Sequence, residues 1–393
     1  MVPRIFSIAA ILAGTSLAWF VLGGTISSRS EASNGRLRDK VASVWGTPQT
    51  QLAPSAVSGS RQTNPEASDI QVGLRLQHRR KGLLWYSTYL ADFQGDYDFR
   101  NTETESRQMQ FWWTVPATGA VYDDLQVSWN GQVLSPQIFK DRAMVTANLE
   151  SGQPGRLRIR YRTQGLDSWR YAFGPEIQQL PNFHLRVNTD FRAVDFEENT
   201  LAPTEKRESA QGWQLDWTYQ NLFAGREIAV VMPARAQPGP LAAQISFFAP
   251  VSLLFFFFVM LMLTARRGVD LHPMNYFFMA CSFFAFHLLM AYLVDHIDIY
   301  VSFGISATVS VFLLVSYLRI VVGTQFAIRE AALAQLVYLV LFSFAFFFEG
   351  FTGLTVTIGA IVTLFITMQM TGAIRWEQKF ASGPFKTNSP EVV

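Results

Sequence analysis

One cysteine, Cys281, stands among 393 residues, and that scarcity excludes an internal disulfide framework and every multi-cysteine metal or iron–sulfur site. Charge is scarce as well. Asp, Glu, Lys and Arg make up 16% of the chain, against about 25% in an ordinary soluble domain. The net charge is only +2, so the chain lacks the basic face that a nucleic-acid binder needs, and no nucleic-acid partner is expected. Also missing are a G-x-S-x-G elbow, an H-E-x-x-H helix, paired-histidine metal spacing and a Walker phosphate loop. No kinase, cyclase or nucleotide-binding segment is present to act as a signalling output. What the chain has in excess is apolar: 49% of its residues are hydrophobic and 34 are Phe, the composition of a protein partly dissolved in lipid.

A bilayer core of about 30 Å is crossed by roughly 20 apolar residues in a helix. Six stretches reach that length: residues 5–26, 243–264, 274–294, 300–318, 331–348 and 352–372. Lys and Arg in the short loops set the orientation. Arg266 and Arg267 follow the second stretch, Arg319 and Arg329 flank the loop after the fourth, and Arg375, Lys379 and Lys386 follow the sixth. The opposite loops carry Asp295, His296 and Asp298, or Glu349, with no Lys or Arg. Both ends are therefore expected in the cytoplasm and residues 27–240 outside. Arg36, Arg38 and Lys40 pull the other way, but five later spans outvote them. The first stretch, at 22 residues, exceeds the roughly 7–15-residue core of a signal peptide, and no small-x-small cleavage site follows. It reads as an uncleaved anchor.

The expected division is a transmembrane anchor at 1–26, a partly disordered linker at 27–73 with a short helix near 36–44, and an extracytoplasmic β-rich domain at 74–240. A five-helix transmembrane bundle follows at 241–375, then a short cytoplasmic tail at 376–393. In the outer domain the hydrophobic period is two. Tyr89, Ala91, Phe93, Tyr97 and Phe99 alternate with mostly polar neighbours, as do Met109, Phe111, Trp113 and Val115, then Leu125, Val127 and Trp129. Leu157, Ile159 and Tyr161 continue the pattern, followed by Phe183, Leu185 and Val187, and by Trp213, Leu215, Trp217 and Tyr219. Such alternation marks half-buried antiparallel strands, and Asn130-Gly131 is a strong hairpin signal. The fold class expected is an α+β membrane protein with an antiparallel, β-sandwich-like outer domain and six transmembrane helices.

The outer domain offers little chemistry. His184 should sit on the polar face of a strand as a surface histidine. His78-Arg79-Arg80-Lys81 reads as a solvated turn between strands in preference to a site for anionic lipid phosphates. Asp96, Asp98, Asp123 and Asp124 could meet a cation, but their spacing matches no calcium loop. In the membrane stretches an ionisable group is a functional candidate by default, and essentially one is present, His287. It reads as an interhelical hydrogen-bonding partner rather than a proton relay. Asp295, His296 and Asp298 could ligate a metal, though charged residues ending a helix at the interface are the commoner reading. Thr355, Gly359, Thr363, Thr367 and Thr371 recur every fourth residue on the sixth stretch, as Ser302, Ser306 and Ser310 do on the fourth. Both stripes are expected to be packing seams, or a dimer face. Asp270 is expected to cap the third transmembrane helix, with Pro273 in its first turn.

The order of parts and several short motifs resemble the CreD-type inner-membrane proteins of Gram-negative bacteria. Leu271-His272-Pro273-Met274-Asn275-Tyr276 is similar to the L-H-P-M-x-Y sequence leading into that family's third span. The run through Leu288-Leu289 to Asp295-His296, the terminal Arg375-Trp376, and Leu201–Glu208 with Gly212-Trp213 and Trp217 fit as well. The likeness covers roughly residues 155–377. It implies a cell-envelope protein linked to envelope integrity, β-lactam response and altered colicin tolerance, and it brings no catalytic residue and no cofactor. The resulting expectation is a non-enzymatic, multi-pass protein of the bacterial inner membrane, without cofactor or bound metal. Its expected partners are the lipid bilayer, other envelope proteins and a second copy of itself. The alternative is a transporter or lipid-handling channel with the outer domain as gate or capture module. A membrane-tethered hydrolase ranks last, because no nucleophile–base pair is visible.

Overall fold

A computed structural model describes residues 2–58, 61–82, 84–101, 105–174, 179–223, 225–348, 350 and 352–372. The chain divides into two compact units, one formed by residues up to Ser33 with those from Gln237 on, the other by Asn34–Ala236. It is an α+β protein. Helix α1, Val2–Trp45, belongs to the first unit up to Ser33 and to the second from Asn34.

Among the described residues of the second unit sixteen strands follow. They are β1 Gln49–Leu52, β2 Ser55–Ser58, β3 Arg61–Thr63, β4 Ala67–Lys81, β5 Leu84–Arg100, β6 Arg107–Thr114, β7 Tyr122–Trp129 and β8 Gln132–Leu134. Then come β9 Gln137–Ile138, β10 Arg142–Leu149, β11 Pro154–Leu166, β12 Ser168–Ala172, β13 Leu180–Thr189, β14 Glu205–Glu208, β15 Trp213–Leu222 and β16 Ile228–Val231. An eight-stranded sheet has the order β14-β15-β13-β4-β5-β11-β7-β8. A five-stranded sheet runs β3-β2-β6-β10-β9, and a three-stranded one β1-β12-β16. All three contribute to one hydrophobic core, with Ile70, Phe93 and Ile159 from the large sheet, Phe111 and Val145 from the second, and Trp169 and Ile228 from the third. Fully burying a side chain of this size is worth about 1.5–3 kcal/mol. Trp169, Trp217, Tyr97, Tyr161 and Phe93 are among those fully buried.

The period-two residues do face this core, from Tyr89 to Phe99 on β5 and from Phe183 to Val187 on β13. Asn130 and Gly131, at φ 49° and 85°, form the two-residue turn between β7 and β8, where positive φ at both positions matches the strand twist. Gly155 on β11 is required by space: a Cβ there would lie 2.0 Å from the Trp129 indole.

Two expectations need correction. Residues 27–73 are no linker: they hold the rest of α1, the first three strands and the start of β4. Their composition concealed this, because the buried faces carry amides. Gln49 and Gln51 are fully buried; Gln49 donates to the Thr163 hydroxyl at 2.8 Å, and Gln51 accepts from the Tyr161 phenol at 2.5 Å. Nor is the unit purely antiparallel. β1 pairs in parallel with β12, and β4 with β13. A parallel pair cannot be closed by a hairpin, so no local turn signal announces it.

In the first unit, α1 is joined by α2 Pro238–Arg267, α3 Pro273–Leu293, α4 Ile299–Val322, α5 Thr324–Phe347 and α6 Thr352–Thr371. Five of these, α1 to α5, are long and apolar enough to cross a membrane, and α6 carries a shorter apolar stretch, Val356–Ile366. α5 starts before the expected residue 331 and is irregular: π turns occupy Ala327–Ala331 and Leu336–Leu341, and a 3₁₀ turn Ala345–Phe347. The expected tail at 376–393, together with Glu349, Arg375, Trp376, Lys379 and Lys386, lies outside the described residues.

Candidate functional site

Inside an apolar helix bundle a polar side chain is costly unless it finds a partner. Ser252, Ser282, Ser302, Ser306, Ser310, Gln335 and Thr363 are all buried there. Four of their bonds run from helix to helix, in two relays, while Ser282 and Ser302 bond locally to the Met279 and Asp298 carbonyls. In the first, Gln335 Nε2 of α5 donates to Ser310 Oγ of α4 at 2.8 Å, and that hydroxyl donates to the Ser282 carbonyl of α3 at 2.6 Å. In the second, the Ser252 hydroxyl of α2 donates to the Tyr338 carbonyl of α5. The Tyr338 phenol lies 2.9 Å from Thr363 Oγ1 of α6. Thr363 sends its own proton to the Gly359 carbonyl at 2.6 Å, so Tyr338 is the donor to Thr363.

The π turns explain the position of these relays. A π turn shifts carbonyls away from their α-helical donors, and such bulges gather at functional sites. Here they flank Gln335, and one of them presents the Tyr338 carbonyl to Ser252.

A third element is a clasp between α1 and α3, which run parallel. At one end Arg4 bonds Asp270 at 2.9 Å. In the middle Trp19 stands edge-on to His287 and Phe284, each with ring centroids 5.6 Å away. At the other end Arg29 reaches the Asp295 carboxylate at 3.1 Å and the Ala291 carbonyl at 2.6 Å, and stacks over Tyr292. His287 is 2% exposed. Its Nδ1 donates to the Phe283 carbonyl at 2.9 Å, within its own helix, which makes Nε2 the acceptor nitrogen. Among the described residues, His287 Nε2 and Trp19 Nε1 have no hydrogen-bond partner, and the same holds for Ser306 Oγ and Gln335 Oε1.

The remaining sequence candidates fall as follows. Asp298 caps α4 through the Tyr300 amide at 2.9 Å, Asp295 belongs to the clasp, and the His296 amide bonds the Leu293 carbonyl. Among the described residues no three His, Cys, Asp or Glu side chains gather as a metal site. The cap of α3 is His272 and not Asp270: its ring accepts from the Met274 amide at 3.2 Å, while Asp270 is taken by Arg4. Pro273 is the first residue of α3, Leu271 and Tyr276 are buried, and Met274 is exposed. A Cβ on Gly359 would meet nothing within 4 Å, so the close approach expected of a small-residue seam is absent at that position. The side chains of Thr355, Thr367 and Thr371 lie outside the described ones. Gln335, Tyr338, Ser252, Trp19 and the two arginine clasps went unread in the sequence. Gln335 did carry a signal, as the amide within an otherwise almost wholly apolar run.

On the second unit, the acidic residues considered for a cation are instead paired with arginines that alternate along β11. Arg156 holds Asp98 and Arg158 holds Asp96, both bidentate at 2.6–3.0 Å. Arg162 holds Asp123 and Asp124. His184 is not a bare surface histidine: it bridges Asp69 of β4 at 2.8 Å and Asp216 of β15 at 3.3 Å. Burial pushes the Asp216 carboxyl upward, but hydrogen bonds from Gln214, Arg186 and His184 outweigh it and hold the group below its ordinary value. His78, at the end of β4, bonds the Pro233 carbonyl at 3.0 Å, and burial lowers its pKa. Arg79 stacks over Trp45.

No family model matches the chain, and no curated protein matches it. Among solved structures it is similar to a candidate nutrient binding protein from Legionella pneumophila, at 11% identity over 54% of this chain and 76% of that one, TM-score 0.35. It is also similar to an M1 zinc metallopeptidase from Deinococcus radiodurans, at 16% identity over 43% of this chain and 42% of that one, TM-score 0.28. Likenesses this distant carry no argument about function.

Proposed function

We propose that this chain is a non-enzymatic scaffold of the bacterial inner membrane, serving cell-envelope integrity or stress response. Six helices cross the bilayer with both termini cytoplasmic, and residues of about 27–240 lie in the periplasm. There the β unit contacts envelope components or partner proteins, and the bundle anchors it. The observation that carries this reading is the use made of the buried polar groups: Gln335, Ser310, Ser252, Tyr338 and Thr363 bond from helix to helix. That pattern suits a bundle held in one arrangement. The resemblance of its sequence layout to that of CreD-type proteins supports the envelope role.

A second reading, a transporter or lipid-handling channel, is favoured by a different observation. Among the described residues, His287 Nε2, Trp19 Nε1, Ser306 Oγ and Gln335 Oε1 are buried without partners, and α5 is irregular on both sides of Gln335. One experiment separates the two. A strain lacking the protein is complemented with wild type or with His287→Ala, and dye uptake and detergent sensitivity are measured at matched protein levels. Equal restoration by both supports the scaffold. Restoration by wild type alone overturns it in favour of transport.

A further inference from the structure

A cavity of about 370 Å³ opens in the β unit, where the chain passes from β1 to β2. That volume lies within the range of small-molecule sites, roughly 300–1,000 Å³. Its lining residues include three aromatics, Trp112, Trp113 and Phe173, two amides, Gln62 and Asn64, and one guanidinium, Arg142. Among the described residues no carboxylate lines it.

Four of these groups sit on strands, Gln62 on β3, Trp112 and Trp113 on β6 and Arg142 on β10, while Asn64 and Phe173 each directly follow a strand. Arg142 opens β10 and pairs in register with Thr114 of β6, next to Trp113. Trp112 is half-buried and braced by Phe139, with ring centroids 5.4 Å apart. Arg142 is largely exposed, and its described partner is Asp141, 3.6 Å from Nε. That is longer than a hydrogen bond, so the two terminal nitrogens remain for a ligand.

The combination selects one chemistry. Each amide offers both donor and acceptor, which suits neighbouring hydroxyl groups. An indole face suits the C–H face of a saturated ring. A guanidinium whose described acidic neighbour, Asp141, lies beyond hydrogen-bond distance suits a carboxylate, which it grips through two parallel hydrogen bonds. A purely apolar ligand would leave the amides and Arg142 desolvated and unpaired, and a cation would be repelled.

We propose that this cavity binds an acidic saccharide, with its ring against Trp112 and its carboxylate on Arg142. The proposal rests on reading the β unit as the part that contacts envelope components. It is tested on purified protein, so its failure and the failure of that reading are told apart. The full chain in detergent is titrated with D-glucuronate, D-glucose and glutarate, followed by calorimetry and ligand-observed NMR.

Glucuronate should bind saturably and at least about tenfold more tightly than glucose, since a charged hydrogen-bonded pair is worth that much, and more tightly than glutarate, which lacks the ring and hydroxyls that meet Trp112 and the amides. Arg142→Gln, at an exposed position that preserves folding, should abolish the preference over glucose. Trp112→Phe should weaken both sugars several-fold. Glucuronate binding no tighter than glucose, a preference that survives Arg142→Gln, or glutarate binding as well as glucuronate would each overturn the assignment; the last would make the cavity a general carboxylate site.

Discussion

Gln335→Leu should leave the bundle as stable as wild type or more so. The reasoning starts from two opposing terms. Leucine removes the hydrogen bond from Gln335 Nε2 to Ser310 Oγ, 2.8 Å long, and interhelical bonds in membranes average about 0.6 kcal/mol with a maximum near 1.7. It also removes Oε1, which is buried without a partner, and a buried unsatisfied acceptor costs about 1–3 kcal/mol. The volumes are similar, so cavity and overpacking terms stay small. The net is a gain of roughly 0–2 kcal/mol from the difference of these terms. Gln335→Ala relieves the same orphan but opens a cavity, and it should come out about 1 kcal/mol less stable than wild type. The assay is reversible denaturation of the full chain in mixed micelles, monitored by tryptophan fluorescence, with Ser310→Ala completing a double-mutant cycle. If Gln335→Leu proved destabilised by more than about 1 kcal/mol, the premise that Oε1 lacks a partner would be refuted. The balance would then tip toward a polar pathway through the bundle.

Three further outcomes are expected. Arg29→Gln should destabilise the α1–α3 clasp by about 0.5–1.5 kcal/mol, since the ion pair is half-exposed but also bonds the Ala291 carbonyl; micelle denaturation at low and high salt checks it, and salt-insensitivity of the wild type would contradict it. Gly155→Ala should prevent normal folding or cost several kcal/mol, because the new methyl group overlaps the Trp129 ring; a melting curve like that of wild type would remove the close-approach argument. Asp216, whose pKa is lowered in the fold, contributes stability that is present above the ordinary carboxylate pKa and lost as pH falls through the lowered value. Asp216→Asn should therefore flatten the acid limb of the stability-against-pH curve below about pH 4, and an unchanged limb would show that the cluster does not report on folding.

How much of this was legible beforehand differs between the two units. Alternation on β5, β11 and β13 marked the large sheet because its inner residues are aromatic or branched and its outer ones charged. The strands between 49 and 63 escaped because Gln49 and Gln51 look like surface residues until Thr163 and Tyr161 are brought to them by pairing across more than a hundred positions. Membrane stretches were visible from length and apolarity alone. Their polar interior was only half visible: the Ser302–Ser310 stripe could be seen, but its partner Gln335 is chosen by packing. Ion pairs were the least legible. Arg4 with Asp270, and Arg156 with Asp98, unite residues whose sequences carry no mutual signal, so each acid read alone suggested a cap or a cation.

The parallel clasp of α1 and α3 also fixes an order of events during synthesis. Arg29 and the Ala291 carbonyl it bonds are 262 positions apart, and ribosomes add roughly 5–20 residues per second. For roughly 13 to 50 seconds α1 therefore exists with Arg29, Trp19 and Arg4 unmatched, while the whole β unit is being made. The nascent anchor needs either lipid headgroups or an insertion factor to shelter its two arginines over that interval. α3 can dock on α1 only after the β unit has been synthesised, and α4 to α6, which follow α3 in the chain, join the bundle later still.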